Sequence, residues 1–385
     1  MKGVIVIDGH VQGTALTQAL GENGIPVIIV DCNRQCVARF SKYSKGFFVS
    51  PQYLAPNFAD FLISLCENEQ LYGWAIFPCN DHIVWSLSQN KEKLSEFYKI
   101  ISPNKDILNN IINKENLINI AKEVGVPVPH SVFPTLSNPI PINIPYPAIV
   151  KGKEGQTFYK KTGKKAFLVK SHSELSGVLK NLENIVEINE IIVQEFVQAT
   201  GSLKVVSFTC FAVNGDIKTY WIGDKVREHP IEFGTATFSR SIVDFGLYPL
   251  AKKLMNALLY TGTCEIEFII DSQTKLPKLI EINPRTWLWV GLAKQCGVDY
   301  ANIMYSYLNN REIEYPQSYT QNSGWVNIWT DLAYSFIGII KGKIAIGSFF
   351  RSYFRYKPKF AVFNWHDPAP FLMMTILLPY IAIKR

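Results

Sequence analysis

No stretch of about 20 uninterrupted apolar residues occurs in this 385-residue chain, so a membrane-spanning helix is not expected. The two most apolar segments lie near the end. Residues 332–350 are broken by Lys341-Gly342-Lys343, and residues 371–383 are short and contain Pro379. No basic region followed by a long apolar stretch and a cleavage site stands at the start, where Val4-Ile5-Val6-Ile7 begins at once, so no secretory signal is expected. Charge is sparse, at 18% of residues, and the net +7 forms no dense basic stripe. Nucleic acid is therefore not an expected partner, while anionic ligands such as nucleotides, or an anionic membrane surface, remain. Bulk disorder is excluded by a hydrophobic content of 48%. The seven cysteines include no redox or zinc spacing, since three residues separate Cys32 from Cys36, and reduced, mostly buried thiols of a cytoplasmic protein are expected. The six histidines form no spaced metal pair. A β-α-β pattern runs over residues 2–31, but its turn, Gly9-His10-Val11-Gln12-Gly13, lacks the full glycine fingerprint of a dinucleotide site. Asp31 on a ribose is thereby disfavoured, and Gly9 and Gly13 are read as permitting the turn. There is no internal repeat.

What is present is concentrated between residues 265 and 285. Two apolar runs of strand-like composition, one carrying Glu265 and Glu267 and the other Glu281 and Asn283, are joined by Ser272-Gln273-Thr274-Lys275. This reads as a β-hairpin or close strand pair. Alternation puts Glu265 and Glu267 on one face, and Glu281 and Asn283 on one face. Adjacent strands then bring Glu267, Glu281 and Asn283 together. Two carboxylates and an amide, with no His or Cys, suit a hard cation such as Mg²⁺. Arg285, just past the second strand, is placed to meet negative charge held by that metal. The competing reading is a surface strand pair with solvated acids.

Other stretches supply candidates. A strand at 74–77 ends in Pro78-Cys79-Asn80-Asp81, and polar groups at the carboxyl end of a parallel strand face ligands in open α/β sheets. Asn80 and Asp81 are thus substrate-side candidates, with Asp81 as the cap of a helix starting near His82 the alternative. Residues 114–124 read as a helix ended by Gly125-Val126-Pro127-Val128-Pro129, and 134–147 as a proline-rich connection. A strand at 146–152 contains Lys151. The following glycine-containing stretch, with Lys153, Lys160, Lys161, Lys164 and Lys165, reads either as a mobile loop folding over phosphates or as an ordinary solvated loop. Helices are expected at 173–182 and 250–259, and strands at 191–197 and 203–213, the latter followed by the hairpin turn Asn214-Gly215. Arg227 and Arg240 suit bidentate carboxylate binding or, equally, surface ion pairs. Trp287 and Trp289 either wall a pocket or pack in the core. From about residue 315 the chain is rich in Trp, Tyr and Phe. This tail either packs helices onto the body, the preferred reading, or rests one face on an anionic membrane.

Taken in order over residues 1–310, these pieces resemble the ATP-grasp superfamily, and within it the carboxylate–amine ligase type that includes D-aspartate ligase. The resemblance rests on Lys114, Lys151, the glycine-containing stretch, Gln194-Glu195-Phe196-Val197, the acidic strand pair and Asn283-Pro284-Arg285. The tail, with Trp325, Asp331 and Trp365-His366-Asp367-Pro368, is similar to ATP-grasp proteins of surface-polysaccharide loci. The implied fold class is α/β and α+β: an open parallel α/β N-terminal domain (1–104), a two-lobed ATP-grasp domain (105–312, with a lid lobe near 125–200) and an apolar, mainly helical extension (313–385). The resemblance implies that Lys114 and Lys151 contact ATP phosphates, that Gln194, Glu195 and Val197 bind adenine, and that Glu267, Glu281 and Asn283 hold Mg. Arg285 would stabilise the transferring phosphoryl group, Lys204 matches a position carrying a basic residue, and Glu265 faces substrate or lies behind the metal ligands. The expected activity is ATP-dependent joining of a small-molecule carboxylate to an amine through an acyl phosphate. The alternatives are an inactive nucleotide-binding regulatory module and a carbamoyl-phosphate or bicarbonate-type enzyme. A homodimer, a cytoplasmic location and contact with the inner membrane face complete the expectations.

Overall fold

The computed structural model describes residues 1–138, 143–198, 205–229 and 234–378. Lys204 lies outside the described residues. The chain opens with β1 (Val4–Ile7), α1 (Val11–Glu22), β2 (Val27–Asp31), β3 (Ser44–Val49), α2 (Phe58–Glu69), β4 (Ala75–Pro78), α3 (Asp81–Gln89), α4 (Lys91–Ser95) and β5 (Lys99–Ile100). These strands form an all-parallel sheet in the order β3-β2-β1-β4-β5. Helices cover both faces, so β1, β2 and β4 are buried along their whole length and read as unbroken apolar runs. The order reverses between β1 and β4, and their carboxyl ends, Asp8 and Cys79-Asn80-Asp81, border the crevice where such sheets take ligands.

Two helices, α5 (Lys105–Ile112) and α6 (Lys114–Glu123), lead to a smaller lobe. Asn113 caps α6 by accepting from the amides of Glu115 and Asn116, and Gly125 at φ +67 follows its end, where only a residue tolerant of left-handed backbone is comfortable. The lobe comprises β6 (Ser131–Val132), β7 (Ala148–Gly152), α7 (Gly155–Thr162), β8 (Phe167–Val169), α8 (His172–Leu182) and β9 (Ile191–Glu195), with sheet order β6-β9-β7-β8, all pairings antiparallel. Here one expectation is corrected. The glycine-containing stretch after Lys151 is not a loop throughout, because Gly155–Thr162 is helical. Phe158 fixes it: its ring is buried, and a Cβ on Gly152 would stand 2.4 Å from the Phe158 Cβ. Lysine and glycine composition hid this single apolar anchor.

The third sheet is the largest. It takes β10 (Val205–Val213), β11 (Asp216–His229), β12 (Thr235–Ser241), β13 (Gly262–Ile270) and β14 (Pro277–Asn283), with α9 (Tyr248–Leu258) packed on one face. Asn214 and Gly215 both have positive φ, as a two-residue hairpin turn requires. After α10 (Val290–Gln295) and α11 (Tyr300–Leu308), the tail adds β15 (Gly324–Val326), α12 (Ile328–Ile340), α13 (Ile346–Tyr356), β16 (Lys359–Phe360) and α14 (Ala369–Ile376). The full sheet order is β14-β13-β10-β11-β12-β15-β16. The tail is mainly helical as expected, but it also extends this sheet by two strands. Trp221, Trp287 and Trp289 are buried together in a core shared with α1, α10 and α11, so the two later tryptophans pack rather than line a pocket. Among the described residues no helix is long and apolar enough to cross a membrane.

Candidate active site

The strands β13 and β14 pair antiparallel with Glu265 opposite Asn283 and Glu267 opposite Glu281, so all four polar side chains share one face. Their surroundings differ. Glu265 accepts from the Ser207 hydroxyl at 2.8 Å and from Asn283 Nδ2 at 3.1 Å. Glu267 pairs with Lys225 Nζ at 2.8 Å. Burial first, then the neighbouring Glu267, pushes the Glu265 carboxyl up to about 7, against the pull of Lys225, Ser207 and Arg285. Burial works against the Lys225 ammonium, but Glu267 and Glu265 together hold its pKa above the usual lysine value. Among the described residues no group of three or more His, Cys, Asp and Glu is placed to hold a metal ion. The oxygen donors here are instead carboxylates plus one amide on a single sheet face, with Lys225 against one of the acids.

Lys225 was not among the candidates. It reaches Glu267 across β10, and the sheet order that makes them neighbours joins segments far apart in sequence. The only sequence signal was its place in an otherwise strand-like run, between Asp224 and Val226.

Lys114 and Lys151 come from the other side. The Lys114 amide donates to the Lys153 carbonyl, and its Nζ lies 3.4 Å from where a Gly155 Cβ would be, over the start of α7. Lys151 Nζ donates to Gln194 Oε1 at 2.7 Å, and Gln194 Nε2 donates to Ser131 Oγ at 2.8 Å. Burial, then the Lys114 ammonium, pushes the Lys151 pKa down to about 7, while Glu281 pulls it upward. The charges of α6, β7 and β14 are thus felt in one place. Two of the surrounding lysines are occupied elsewhere, Lys153 by Glu115 and Lys161 by Glu190.

Gln194, Glu195 and Val197 lie at the end of β9. Glu195 pairs with Lys278, which also meets Asp271 at 2.9 Å, and Val197 is buried. The Glu195 and Phe196 amides donate to the carbonyls of His130 and Pro147.

Arg285 grips Asp81, with Nε at 2.6 Å and Nη2 at 3.1 Å from its two carboxylate oxygens, and Nη1 donates to the Thr286 carbonyl. Burial disfavours the guanidinium charge, but Asp81, Glu265 and Glu281 more than offset it. Asp81 also accepts from Gln156 Nε2 at 3.3 Å, which ties α7 to the first sheet. The cap of α3 is Asn80, not Asp81: its Oδ1 accepts from the Ile83 amide at 3.0 Å, and its Nδ2 donates to Asp8 at 2.8 Å. Asp31 accepts from the Gly9 and Asn33 amides and from the Tyr53 hydroxyl, and so fastens the first turn of the sheet.

Arg227 and Arg240 are placed in ion pairs, which are buried rather than on the surface. Arg227 holds Asp331 through two bonds of 2.8 Å and donates to Ser352 Oγ at 2.7 Å, with its guanidinium over the Phe238, Phe349 and Tyr353 rings. Arg240 grips Asp224 at 2.7 and 2.9 Å and also meets the Tyr356 hydroxyl. Both arginines fasten the tail to β11 and β12.

No family model matches the chain. D-aspartate ligase of Enterococcus faecium is 20% identical over 246 residues, which are 60% of this chain and 58% of that protein. N5-carboxyaminoimidazole ribonucleotide synthase of Staphylococcus epidermidis is 24% identical over 286 residues, 73% of this chain and 69% of the relative. Among solved structures, biotin carboxylase of Campylobacter jejuni, determined as a β,γ-ATP complex, matches with a TM-score of 0.65 at 17% identity, over 83% of this chain and 74% of that one. An open parallel sheet, a small antiparallel lobe and a large antiparallel sheet make up the fold that this chain shares with that structure, and in sequence the chain is similar to a D-aspartate ligase and to an N5-carboxyaminoimidazole ribonucleotide synthase.

Proposed function

We propose that this chain is an ADP-forming, ATP-dependent ligase that activates a carboxylate as an acyl phosphate and joins it to an amine. The observation that carries this reading is that Glu281 on β14 acts electrostatically on both Lys151, itself beside Lys114, and Arg285, which is fixed by Asp81. A carboxylate is a poor acylating agent because oxide would have to leave. Transfer of the γ-phosphoryl group to a carboxylate oxygen makes phosphate the leaving group, and the amine then displaces it through a tetrahedral intermediate. The phosphoryl step needs alignment and charge neutralisation more than covalent help. Lys114, Lys151 and Arg285 supply fixed positive charge, and Asp81 holds the Arg285 fork in one orientation. Gln194 and Glu195, with the backbone near Val197, form the adenine side, and Lys204 is a further basic candidate. Asn80 and Asp81, at the carboxyl end of β4, border the acceptor side. The small lobe with α7 excludes water from the acyl phosphate.

The donor set fits Mg²⁺. Glu281, Glu267 and Asn283 offer oxygen ligands without thiol or imidazole, all on one face of the β13–β14 pair. When bound there, Mg²⁺ supplies charge neutralisation of phosphate oxygens. A second reading takes bicarbonate as the acid, the anion held with MgADP in a biotin carboxylase domain of similar fold.

ADP release should require ATP, Mg²⁺, one acid and one amine together. A coupled assay screened against carboxylates, amines and bicarbonate checks this. ADP formation with bicarbonate alone selects the second reading, and tight ATP binding without turnover on any mixture removes both.

Lys151 gives a pH signature. With its pKa near 7 it is largely neutral at pH 8, and a bound triphosphate favours the ammonium. Nucleotide binding should therefore take up nearly one proton at pH 8 and almost none at pH 6. Calorimetry in buffers of different ionisation enthalpy measures the uptake, and equal uptake at the two pH values removes Lys151 from the phosphate site. The same shift sets a stability trend without nucleotide. Between the folded pKa near 7 and the ordinary lysine value, the unfolded chain binds more protons, so this residue makes stability rise with pH across that window.

A further inference from the structure

The net charge of this protein is almost entirely in its tail. Residues 315–385 contain eight Lys and Arg against two acids, +6 of the chain's +7, so the remainder is close to neutral. The two acids are both turned inward. Asp331, 0% exposed, is held by Arg227, Thr237 and Tyr353, and Asp367, 1% exposed, accepts from Ser41, Gln18 and the Lys42 amide. The six described cations, Lys341, Lys343, Arg351, Arg355, Lys357 and Lys359, are all exposed. Buried acids and exposed bases give the outside of the tail a single sign.

The same segment leaves an apolar surface uncovered. In α13, Phe349, Ser352 and Tyr356 face inward, while Ile346, Phe350 and Phe354 recur every fourth residue on the outside, Phe354 at 80% exposure. In α12, Asp331, Ser335 and Gly338 face inward, while Leu332, Phe336 and Ile340 form a second exposed stripe, with Ile337 beside it. Leu372 and Ile376 repeat the spacing on α14, and Trp365 is 85% exposed in the link before it. Scattered exposed apolar residues are ordinary, but three helices in one segment each presenting a helical-period apolar stripe are not. Lys341 and Lys343, between α12 and α13, also line a cavity of about 230 Å³ with Tyr334 and Ile344.

We propose that the tail docks this protein on an anionic phospholipid surface, with the stripes of α12, α13 and α14 and Trp365 entering the headgroup boundary and the six cations meeting lipid phosphates. The charge pattern chooses this occupant. An uncovered apolar stripe alone would serve a second copy equally well, but a tail whose own exposed charges are all positive, with Glu22 and Glu228 the acids at its border, repels its own copy and attracts acidic lipid. Apolar stripes with aromatic residues and flanking Lys and Arg are the composition of helices that lie in a membrane interface. The proposal does not depend on the ligase reading, since it concerns binding that needs no turnover.

Flotation with vesicles tests it. The full chain should float with vesicles of 70:30 phosphatidylcholine and phosphatidylglycerol and remain behind with phosphatidylcholine alone. Phe350→Glu with Phe354→Glu should weaken binding at least about ten-fold without changing ADP formation in the absence of lipid. Lys357→Glu with Lys359→Glu, which leaves the apolar stripes intact, should also weaken it about ten-fold or more, and 0.5 M salt should weaken the wild type. Circular dichroism verifies that each variant folds, and the second pair carries the test if the first does not fold. Binding to both vesicle types alike, or to neither, overturns the proposal. So does sedimentation showing a lipid-free dimer that the Phe350 and Phe354 substitutions dissociate, since the face would then join two copies.

Discussion

Glu281→Gln is expected to lower ADP release by about 10²–10³-fold while leaving the fold and its thermal unfolding nearly unchanged. The substitution removes one charge from β14 and keeps the shape of the side chain. Glu281 is partly exposed on β14 and contributes to the charge felt by Lys151 and Arg285. It is a cleaner probe than its neighbours. Glu267→Gln also breaks the ion pair with Lys225, so lost activity and lost stability would be confounded. Arg285→Ala leaves Asp81 without its principal partner and loosens the contact through Gln156. Steady-state ADP release at saturating ATP and Mg²⁺, compared with a thermal melt of the same sample, gives the result. A wild-type rate from folded Glu281→Gln removes the acidic hairpin from the reaction.

The second large effect concerns stability. Asp331→Ala should cost about 3–5 kcal/mol, because it leaves the Arg227 guanidinium buried against Phe238, Phe349 and Tyr353 without its carboxylate. The companion change Arg227→Met with Asp331→Leu removes both charges and should recover most of that loss. Urea unfolding of the two variants and the wild type measures the difference. If Asp331→Ala and the double variant are equally stable, the pair does not act as a unit. Because Asp331 also accepts from Thr237 and Tyr353, the single variant should in addition make the tail more sensitive to protease.

The acidic hairpin was legible because its register is local. Period-2 alternation and a short turn fix which face Glu265, Glu267, Glu281 and Asn283 share. The helix at Lys114–Glu123 was legible from the glycine and prolines after it, and Asn214-Gly215 from turn chemistry. Lys225 was not legible, since its contact with Glu267 depends on β10 entering between the two strands. The same limit hid the pairing of Arg227 with Asp331, 104 positions away, and turned an expected surface ion pair into a buried one. The cap of α3 was missed by a single residue. Asn80 and Asp81 are both good caps, and the choice follows from Asp81 being held by Arg285 instead. Strands β15 and β16, of three and two residues, are too short for any periodicity to show.

The tail has a mechanical consequence. It is stitched to the large sheet through β15 and Arg227, and to the first sheet through Asp367 with Ser41 and Gln18, so it acts as a girdle that binds those two bodies into one chassis. The small lobe escapes this girdle. It joins the chassis where Ser272 bonds Gln198, Leu279 bonds Pro127 and Lys278 meets Glu195, where Lys153 meets Glu115 and the Lys114 amide of α6, and through Gln156 and Asp81. Of these ties the 3.3 Å bond at Asp81 is the longest, and it is the one expected to part first when the small lobe is pulled from the chassis.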